Sequence, residues 1–171
     1  MAQSTKRIAV ATLLGVVIFV TKTVVPFPID KMFIVVHALL LGLGALLLRK
    51  MGATYVALIG GVLTALSRGV VAPFTFLFAL LYGLFVDSFF LLFKVNPDEG
   101  KVKVVRLVAS VTLSTALVGF LSYYVTVFML GLLQRNLVLE VSMLVIGTIS
   151  GAIAGYLTSI IWNKYLKNAK I

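Results

Sequence analysis

The sequence contains no cysteine, a single histidine, a single tryptophan, four prolines and only five acidic residues in 171. Without cysteine there is no disulfide framework, no thiolate chemistry and no cysteine-based metal site. One histidine and no cysteine leave no His/Cys metal cluster, so no metal and no catalytic residue is assigned. A Ser/His/Asp triad would have to use His37 as its only base, and no nucleophile elbow is present. The phosphate-binding pattern G-x-x-x-x-G-K-S/T, the dinucleotide fingerprint G-x-G-x-x-G and the zinc-protease pattern H-E-x-x-H are all missing. No nucleotide or other cofactor is therefore expected on this chain. Charge is scarce as well. Charged residues make up 12% and hydrophobic residues 61%, against about 25% and 45–50% in a soluble domain. A soluble globule of this size would lack the polar groups to cover its surface, and a disordered chain would not be this apolar. What remains is an all-α integral membrane protein, a single domain covering residues 1–171.

What is present in abundance is long apolar runs. About 20 apolar residues in a helix cross roughly 30 Å of hydrocarbon, and six segments qualify or nearly so. They run from about Arg7 to Val25, Lys31 to Leu48, Ala53 to Ser67, Val71 to Phe93, Val104 to Gln134 and Leu139 to Trp162. Pro26 and Pro28 stop the first, the third is short, and the fifth is long enough to tilt or to begin at the interface. The runs are continuously apolar, whereas barrel strands alternate, so a six-helix bundle is expected. Lys6 and Arg7 before the first run resemble a secretory signal, but no small-x-small cleavage site follows, so the segment reads as a retained span.

The net charge of +10 suggests nucleic acid in a soluble protein. In a membrane protein it records the sidedness of basic residues, so no nucleic-acid partner is expected. With six spans, one side carries Lys6, Arg7, Arg49, Lys50, Lys94, Lys101, Lys103, Arg106, Lys164, Lys167 and Lys170. The other carries Lys22, Lys31, Arg68 and Arg135. Eleven against four places both termini in the cytoplasm of a multi-pass cell-membrane protein. The Trp162-Asn-Lys164-Tyr165 cluster suits the inner interface.

Small residues recur four apart: Gly147, Gly151 and Gly155 on the sixth span, Ala57, Gly61 and Ala65 on the third, and Ala11 and Gly15 on the first. Such faces let helix backbones approach closely. Packing within the bundle accounts for those of the third and sixth spans. On the first, internal packing and docking of a partner membrane protein stand level.

Ionisable groups within a span are costly and suggest function. Asp87 lies about 25 Å from the outer end of the fourth span, either pairing with an inner Lys or Arg or touching a ligand. His37 is about one and a half turns into the second span. Lys22 ends the first span, Glu140 begins the sixth, and Arg68 and Arg135 lie in outer loops. Tyr123 and Tyr124 are expected about 15 Å below the outer end of the fifth, where rings stack on a flat heterocycle or fill the core. The outer halves of the second, fifth and sixth spans, capped by the 22–31 loop, are the expected pocket. Its substrate-binding residues are Lys22, His37, Arg68, Asp87, Tyr123, Tyr124 and Glu140.

Six spans in under 200 residues, both termini inside, a Pro-containing first outer loop and no ATPase motif resemble the substrate-binding (S) components of energy-coupling factor (ECF) transporters. The resemblance covers essentially the whole chain. It implies capture of a vitamin or related micronutrient from outside, with a transmembrane coupling protein and two cytoplasmic ATPases as partners. The family docks on the coupling protein through A-x-x-x-A in its first helix. Ala11-Thr-Leu-Leu-Gly15 is the nearest match, with Gly in the second small position. Tyr82-Gly-Leu-Phe-Val-Asp87-Ser-Phe-Phe is similar to a segment of the thiamine-precursor (hydroxymethylpyrimidine) branch, with Asp87 in place of a Glu. That likeness implies an aminopyrimidine held by the acid. A structural or assembly membrane protein packing through its Gly/Ala faces is the alternative. A channel or solo carrier ranks third, and an enzyme last.

Overall fold

The computed structural model describes residues 2–24, 33–97, 100–131 and 134–167. Among them every regular element is helical. Six α-helices follow one another: α1 (Ala2–Val24), α2 (Ile34–Leu48), α3 (Gly52–Ser67), α4 (Ala72–Leu92), α5 (Val104–Tyr124) and α6 (Leu137–Ile161). A 3₁₀ turn, Gly69–Val71, leads into α4. π-helical turns extend α5 over Val125–Met129 and α6 over Trp162–Leu166. Four helical stretches are long and apolar enough to cross a membrane: Thr5–Val24, Ala72–Leu92, Val104–Met129 and Leu137–Leu166. The 15-residue α2 and 16-residue α3 span about 22 and 24 Å, short of a full crossing. The expected start of the second span at Lys31, the Pro26/Pro28 stop and Lys170 lie outside the described residues.

Named bonds set the helix directions. Arg7 near the start of α1 donates to the Leu48 carbonyl at the end of α2. Arg68 just past α3 donates to the Lys22 carbonyl late in α1, 3.3 Å away, so α1 and α3 run the same way. The Asp87 carboxylate late in α4 meets the first turn of α3, and Ser110 early in α5 reaches the Phe89 carbonyl of α4. Consecutive helices thus alternate in direction. One end of the bundle gathers the start of α1, the α2–α3 corner, the α4–α5 connection and the end of α6. The opposite end gathers the end of α1, the start of α2, the α3–α4 connection, the end of α5 and the start of α6. Lys6, Arg7, Arg49, Lys50, Lys94, Lys101, Lys103, Arg106, Lys164 and Lys167 fall at the first end, and Lys22, Arg68 and Arg135 at the second.

The fifth expected span, 104 to 134, is too long by several residues. Its α-helix stops at Tyr124, the π turn carries it to Met129, and Gly131 then takes φ +61°, which glycine adopts without a Cβ clash. Asn136 caps α6 by accepting from the Val138 amide at 2.9 Å. Tyr123 and Tyr124 therefore lie only about 8 Å before the end of this helical stretch at Met129, nearer to it than expected.

The small-residue faces set the packing. A Cβ on Gly151 would stand 2.6 Å from the Thr112 Cα, and one on Gly155 2.8 Å from the Val108 Cα. The α6 stripe therefore lies against the α5 backbone. On α3, Ala57 and Gly61 face α4: a Cβ on Gly83 would meet the Ala57 Cβ at 2.6 Å, and one on Gly61 the Ala79 Cβ at 2.8 Å. The opposite side of α3 takes α1, where a Cβ on Gly15 would lie 2.9 Å from the Ile59 Cβ and 3.0 Å from the Gly60 amide. Ala11 is buried on the same side. The Ala11/Gly15 face expected to dock a partner is thus occupied by α3 within the chain. The outward strip of α1 is Leu13, Val16, Val17 and Val20.

Most buried hydroxyls are satisfied within their own helices; among the described residues Thr112 Oγ1 is buried without a partner. Thr64, Ser114, Thr115 and Thr158 each donate to the carbonyl four residues back in their own helix. Because Thr115 spends its hydrogen there, it accepts from the Tyr82 hydroxyl at 2.7 Å, a bond that ties α4 to α5. These local bonds let polar side chains lie in an apolar core without lining a passage.

Two glycines give a matched test of this packing. Gly151→Ala forces a methyl against the Thr112 backbone, and overpacking of this kind costs about 1–3 kcal/mol. Gly119→Ala meets only the Met143 carbonyl, at 3.9 Å, and removes a helix-interior glycine, a gain of about 0.5–1 kcal/mol. Thermal unfolding in detergent should therefore show a lowered Tm for the first and an unchanged or raised Tm for the second.

Candidate functional site

The two ends of the bundle carry different chemistry. The basic end is built for anchoring. The α2–α3 connection is only three residues, and it holds two non-glycine residues at positive φ, Arg49 at 61° and Met51 at 54°. So tight a corner leaves the last carbonyls of α2 and the first amides of α3 without helical partners. In hydrocarbon each such group left bare costs several kcal/mol. Met51 at the α3 N-cap supplies no side-chain bond. The partner comes from α4 instead. Asp87 Oδ1 accepts from the Ala53 amide at 3.1 Å. Its Oδ2 accepts from the Thr54 amide at 2.8 Å and from the Thr54 hydroxyl at 2.6 Å. The Arg7 guanidinium bonds the Leu48 carbonyl on the other side of the corner. An anion at the start of α3 and a cation at the end of α2 match the two helix dipoles.

Gly83 makes the Asp87 contact possible. It lies one turn before Asp87, and a Cβ there would stand 2.8 Å from the Ala53 carbonyl and from the Thr54 Cα. Tyr82, Val86 and Phe90 are buried beside it. The Tyr82-Gly-Leu-Phe-Val-Asp87 segment therefore builds a helix cap. Asp87 pairs with the α3 backbone, not with an inner Lys or Arg. Both of its oxygens are engaged in holding α3, so the contacts the structure gives this acid are those of a helix cap.

The rest of this end is locked to the α4–α5 connection. Lys94 takes φ 51°, and the amides of Lys94 and Val95 bond the Leu91 and Phe90 carbonyls, a Schellman ending made with lysine in place of glycine. The Asn163 amide group bonds both the N–H and the C=O of Val102, at 2.8 and 3.0 Å. Trp162 Nε1 donates to the Gly100 carbonyl at 3.2 Å. Trp162 is buried against this connection and is not the headgroup anchor expected of it. Exposed Tyr165, with Lys164 Nζ 5.4 Å from its ring centre, fits that role.

The opposite end holds the other expected binding residues, in two sets. On α1–α3, buried His37 lies 3.3 Å from the Thr21 hydroxyl through Nε2. Thr21 directs its own hydrogen to the α1 carbonyls of Val17 and Ile18, so His37 Nε2–H donates to it. Lys22 and Arg68 lie at the same end of the bundle, where the Arg68 guanidinium donates to the Lys22 carbonyl. The loop expected to cap the site falls largely on residues 25–32, outside the described residues.

The second set is on α5–α6. The buried Tyr123 hydroxyl bridges the carbonyl and the amide of Asn136, at 3.1 and 3.2 Å. The Tyr124 hydroxyl donates to Glu140 Oε1. Phe120 and Phe128 complete the cluster, at 4.6 and 5.5 Å from the Tyr124 ring centre, the latter stacked. Tyr123 meets Tyr124 edge-on at 5.8 Å. Phe120, Phe128 and Asn136 were not singled out from the sequence, although Phe120, Tyr124 and Phe128 share the four-residue spacing that aligns side chains on one helix face. Of the seven expected binding residues, six thus lie at this end, in two groups of three, and Asp87 lies at the other. No family model, no curated protein and no solved structure matches the chain.

Asp87 gives a direct test. In Asp87→Ala the first-turn amides of α3 and the Thr54 hydroxyl lose their acceptor, a loss of about 2–3 kcal/mol and a Tm lower by roughly 5–10 °C. In Asp87→Asn one oxygen remains, but the amide nitrogen faces a donor, so an intermediate Tm is expected. Amide exchange at Ala53 and Thr54 should rise in both variants, most in the alanine.

Proposed function

We propose that the chain is a six-span membrane subunit with both termini in the cytoplasm, which captures a small water-soluble solute at its outer end. It would work as the substrate-binding component of an ECF-type importer, with a separate coupling protein and two ATPases supplying the drive. The observation that carries the reading is the asymmetry of the bundle. Ten described basic residues and the rigid caps lie at one end, and His37, Tyr123, Tyr124 and Glu140 lie at the other. Positive charge stays on the cytoplasmic side, which puts the polar-aromatic end outside. On this reading ATP hydrolysis belongs to other chains, in keeping with a sequence that carries no nucleotide motif. Four helices are long enough to span; α2 and α3 complete the bundle as shorter members whose connecting corner is capped from within.

The solute is a vitamin or related micronutrient, which the family resemblance implies. The pyrimidine assignment rested on Asp87 and is not carried forward. Docking on a coupling protein would use the outward strip of α1 around Leu13 and Val17, because Ala11 and Gly15 already face α3. The assembly-protein alternative is disfavoured on the same ground, since the Gly faces it would need are filled by helices of this chain.

Two experiments test this. The tagged protein, drawn from its native membranes in mild detergent, should bring with it a second membrane protein and paired ATPases. Recovery of the chain alone, reproducibly, would defeat the importer reading. The absence of native cysteine provides a clean background for sidedness. Arg135→Cys should react with an impermeant maleimide on intact cells, and Lys50→Cys only after lysis; the reverse pattern would invert the topology.

A further inference from the structure

At the basic end, packing concentrates like charge on one face. The segments 94–106 and 162–167 carry six basic residues, Lys94, Lys101, Lys103, Arg106, Lys164 and Lys167, against two acidic ones, Asp98 and Glu99. All six basic residues are exposed. Asp98 and Glu99 lie outside the described residues, and Asp87 is engaged with the α3 amides. Two sets of bonds draw the segments together. The Asn163 side chain holds both backbone groups of Val102, at 2.8 and 3.0 Å. That brings Lys101 and Lys103, on either side of Val102, next to Lys164. Arg106 donates to the Lys94 carbonyl at 3.4 Å, which folds the connection back on itself. Gathered like charge is self-repelling, so an anion that meets it is held.

What borders the charge selects the anion. Ala72–Leu92 is long and apolar enough to cross a membrane, and α5 begins at Val104. At this boundary Leu91, Leu92, Val104 and Val105 are all exposed. Tyr165 is exposed as well, with Lys164 Nζ 5.4 Å from its ring centre. Exposed cations and exposed apolar side chains therefore stand within about one helical turn of each other along the chain. A soluble polyanion would use the charges and leave the apolar side chains in water. A phospholipid uses both.

We infer that this face binds an anionic phospholipid. Its phosphate is held by Lys101, Lys103 and Lys164, and its acyl chains lie along the exposed apolar residues at the end of α4 and the start of α5. The cations already reach solvent, so a headgroup meets them without any opening of the fold. Asn163 acts as a positioning residue, because it fixes the connection that presents the lysines. The inference goes beyond solute capture and needs only that the chain is embedded in a bilayer.

Trp162 is the single tryptophan of the chain, and its indole is bonded to this same connection, so its fluorescence reports lipid at the face. The full-length protein is reconstituted in phosphatidylcholine vesicles that contain either brominated phosphatidylglycerol or brominated phosphatidylcholine at equal mole fraction. The anionic lipid should quench Trp162 more, with an affinity about fivefold higher for each lysine engaged, and the preference should shrink as salt is raised. Lys101→Gln combined with Lys103→Gln should remove most of the preference. Lys6→Gln combined with Lys50→Gln takes the same charge from the same end of the bundle and should keep it. Asn163→Ala changes no charge and should still lower the preference; the exposed lysine pair carries the test if that variant does not fold. Glycerol phosphate, a headgroup without chains, should not displace the lipid. Equal quenching by the two lipids overturns the inference. So does an equal loss in the Lys6/Lys50 pair, which would mark bulk charge, or displacement by glycerol phosphate, which would mark a free-phosphate site. An acidic peptide that shifts Trp162 emission where no lipid preference exists would assign the face to a protein partner instead.

Discussion

Inside a bilayer a helix end has no water to turn to, so each terminal amide and carbonyl needs a partner from the protein. The same need for partners arises at the α2–α3 corner, where packing covers Leu48, Ala53 and Thr54 and two short helices meet through three residues at the basic end of the bundle. Asp87 from α4 takes the amides of α3, and Arg7 from α1 takes a carbonyl of α2. Four helices are fastened at one point by two charged side chains. The placement of α3 follows from it, and α3 in turn is the helix against which α1 and α4 lie.

Close backbone approach serves the same end. Gly83 brings α4 near enough for Asp87 to reach the first turn of α3. Gly15 seats α1 on the far side of α3, and Gly151 and Gly155 seat α6 on α5. Lipid tails give no hydrophobic reward for helix association, so van der Waals contact and interhelical hydrogen bonds hold the bundle together. The Tyr82–Thr115 bond and the locally satisfied hydroxyls belong to this economy of donors and acceptors. The end fixed by Asp87, Arg7, Trp162 and Asn163 is rigid and basic. The other end keeps imidazole, phenol and carboxylate groups near helix termini.

The helices were legible in the residues because hydropathy reads burial in lipid directly. Five of the six helices both begin and end within about five residues of the expected limits. The fifth did not, because Gly131 and the Asn136 cap act through backbone conformation, which an apolar run conceals. The binding residues were legible by type, as polar groups out of place in apolar helices. Their partners were not. Asp87 looks the same in sequence whether it meets a ligand, a lysine or a backbone amide, and only the approach of α3 decides among them. Trp162 likewise shows amphipathic character in sequence, and the direction of its indole depends on where the 94–103 connection runs.

The sequence by itself determined that this is a helical membrane protein that contains no cysteine and carries none of the common nucleotide-binding patterns, with basic residues gathered at alternate connections. These are properties of composition and of distance along the chain. The tertiary structure alone decided which face of each helix is used: that Ala11 and Gly15 meet α3, that Asp87 caps α3, and that Tyr124 meets Glu140 while one oxygen of that acid stays bare. Hydropathy fixes how a helix sits along the membrane normal. Its rotation about its own axis is set by neighbours, and those contacts arise between residues far apart in the chain.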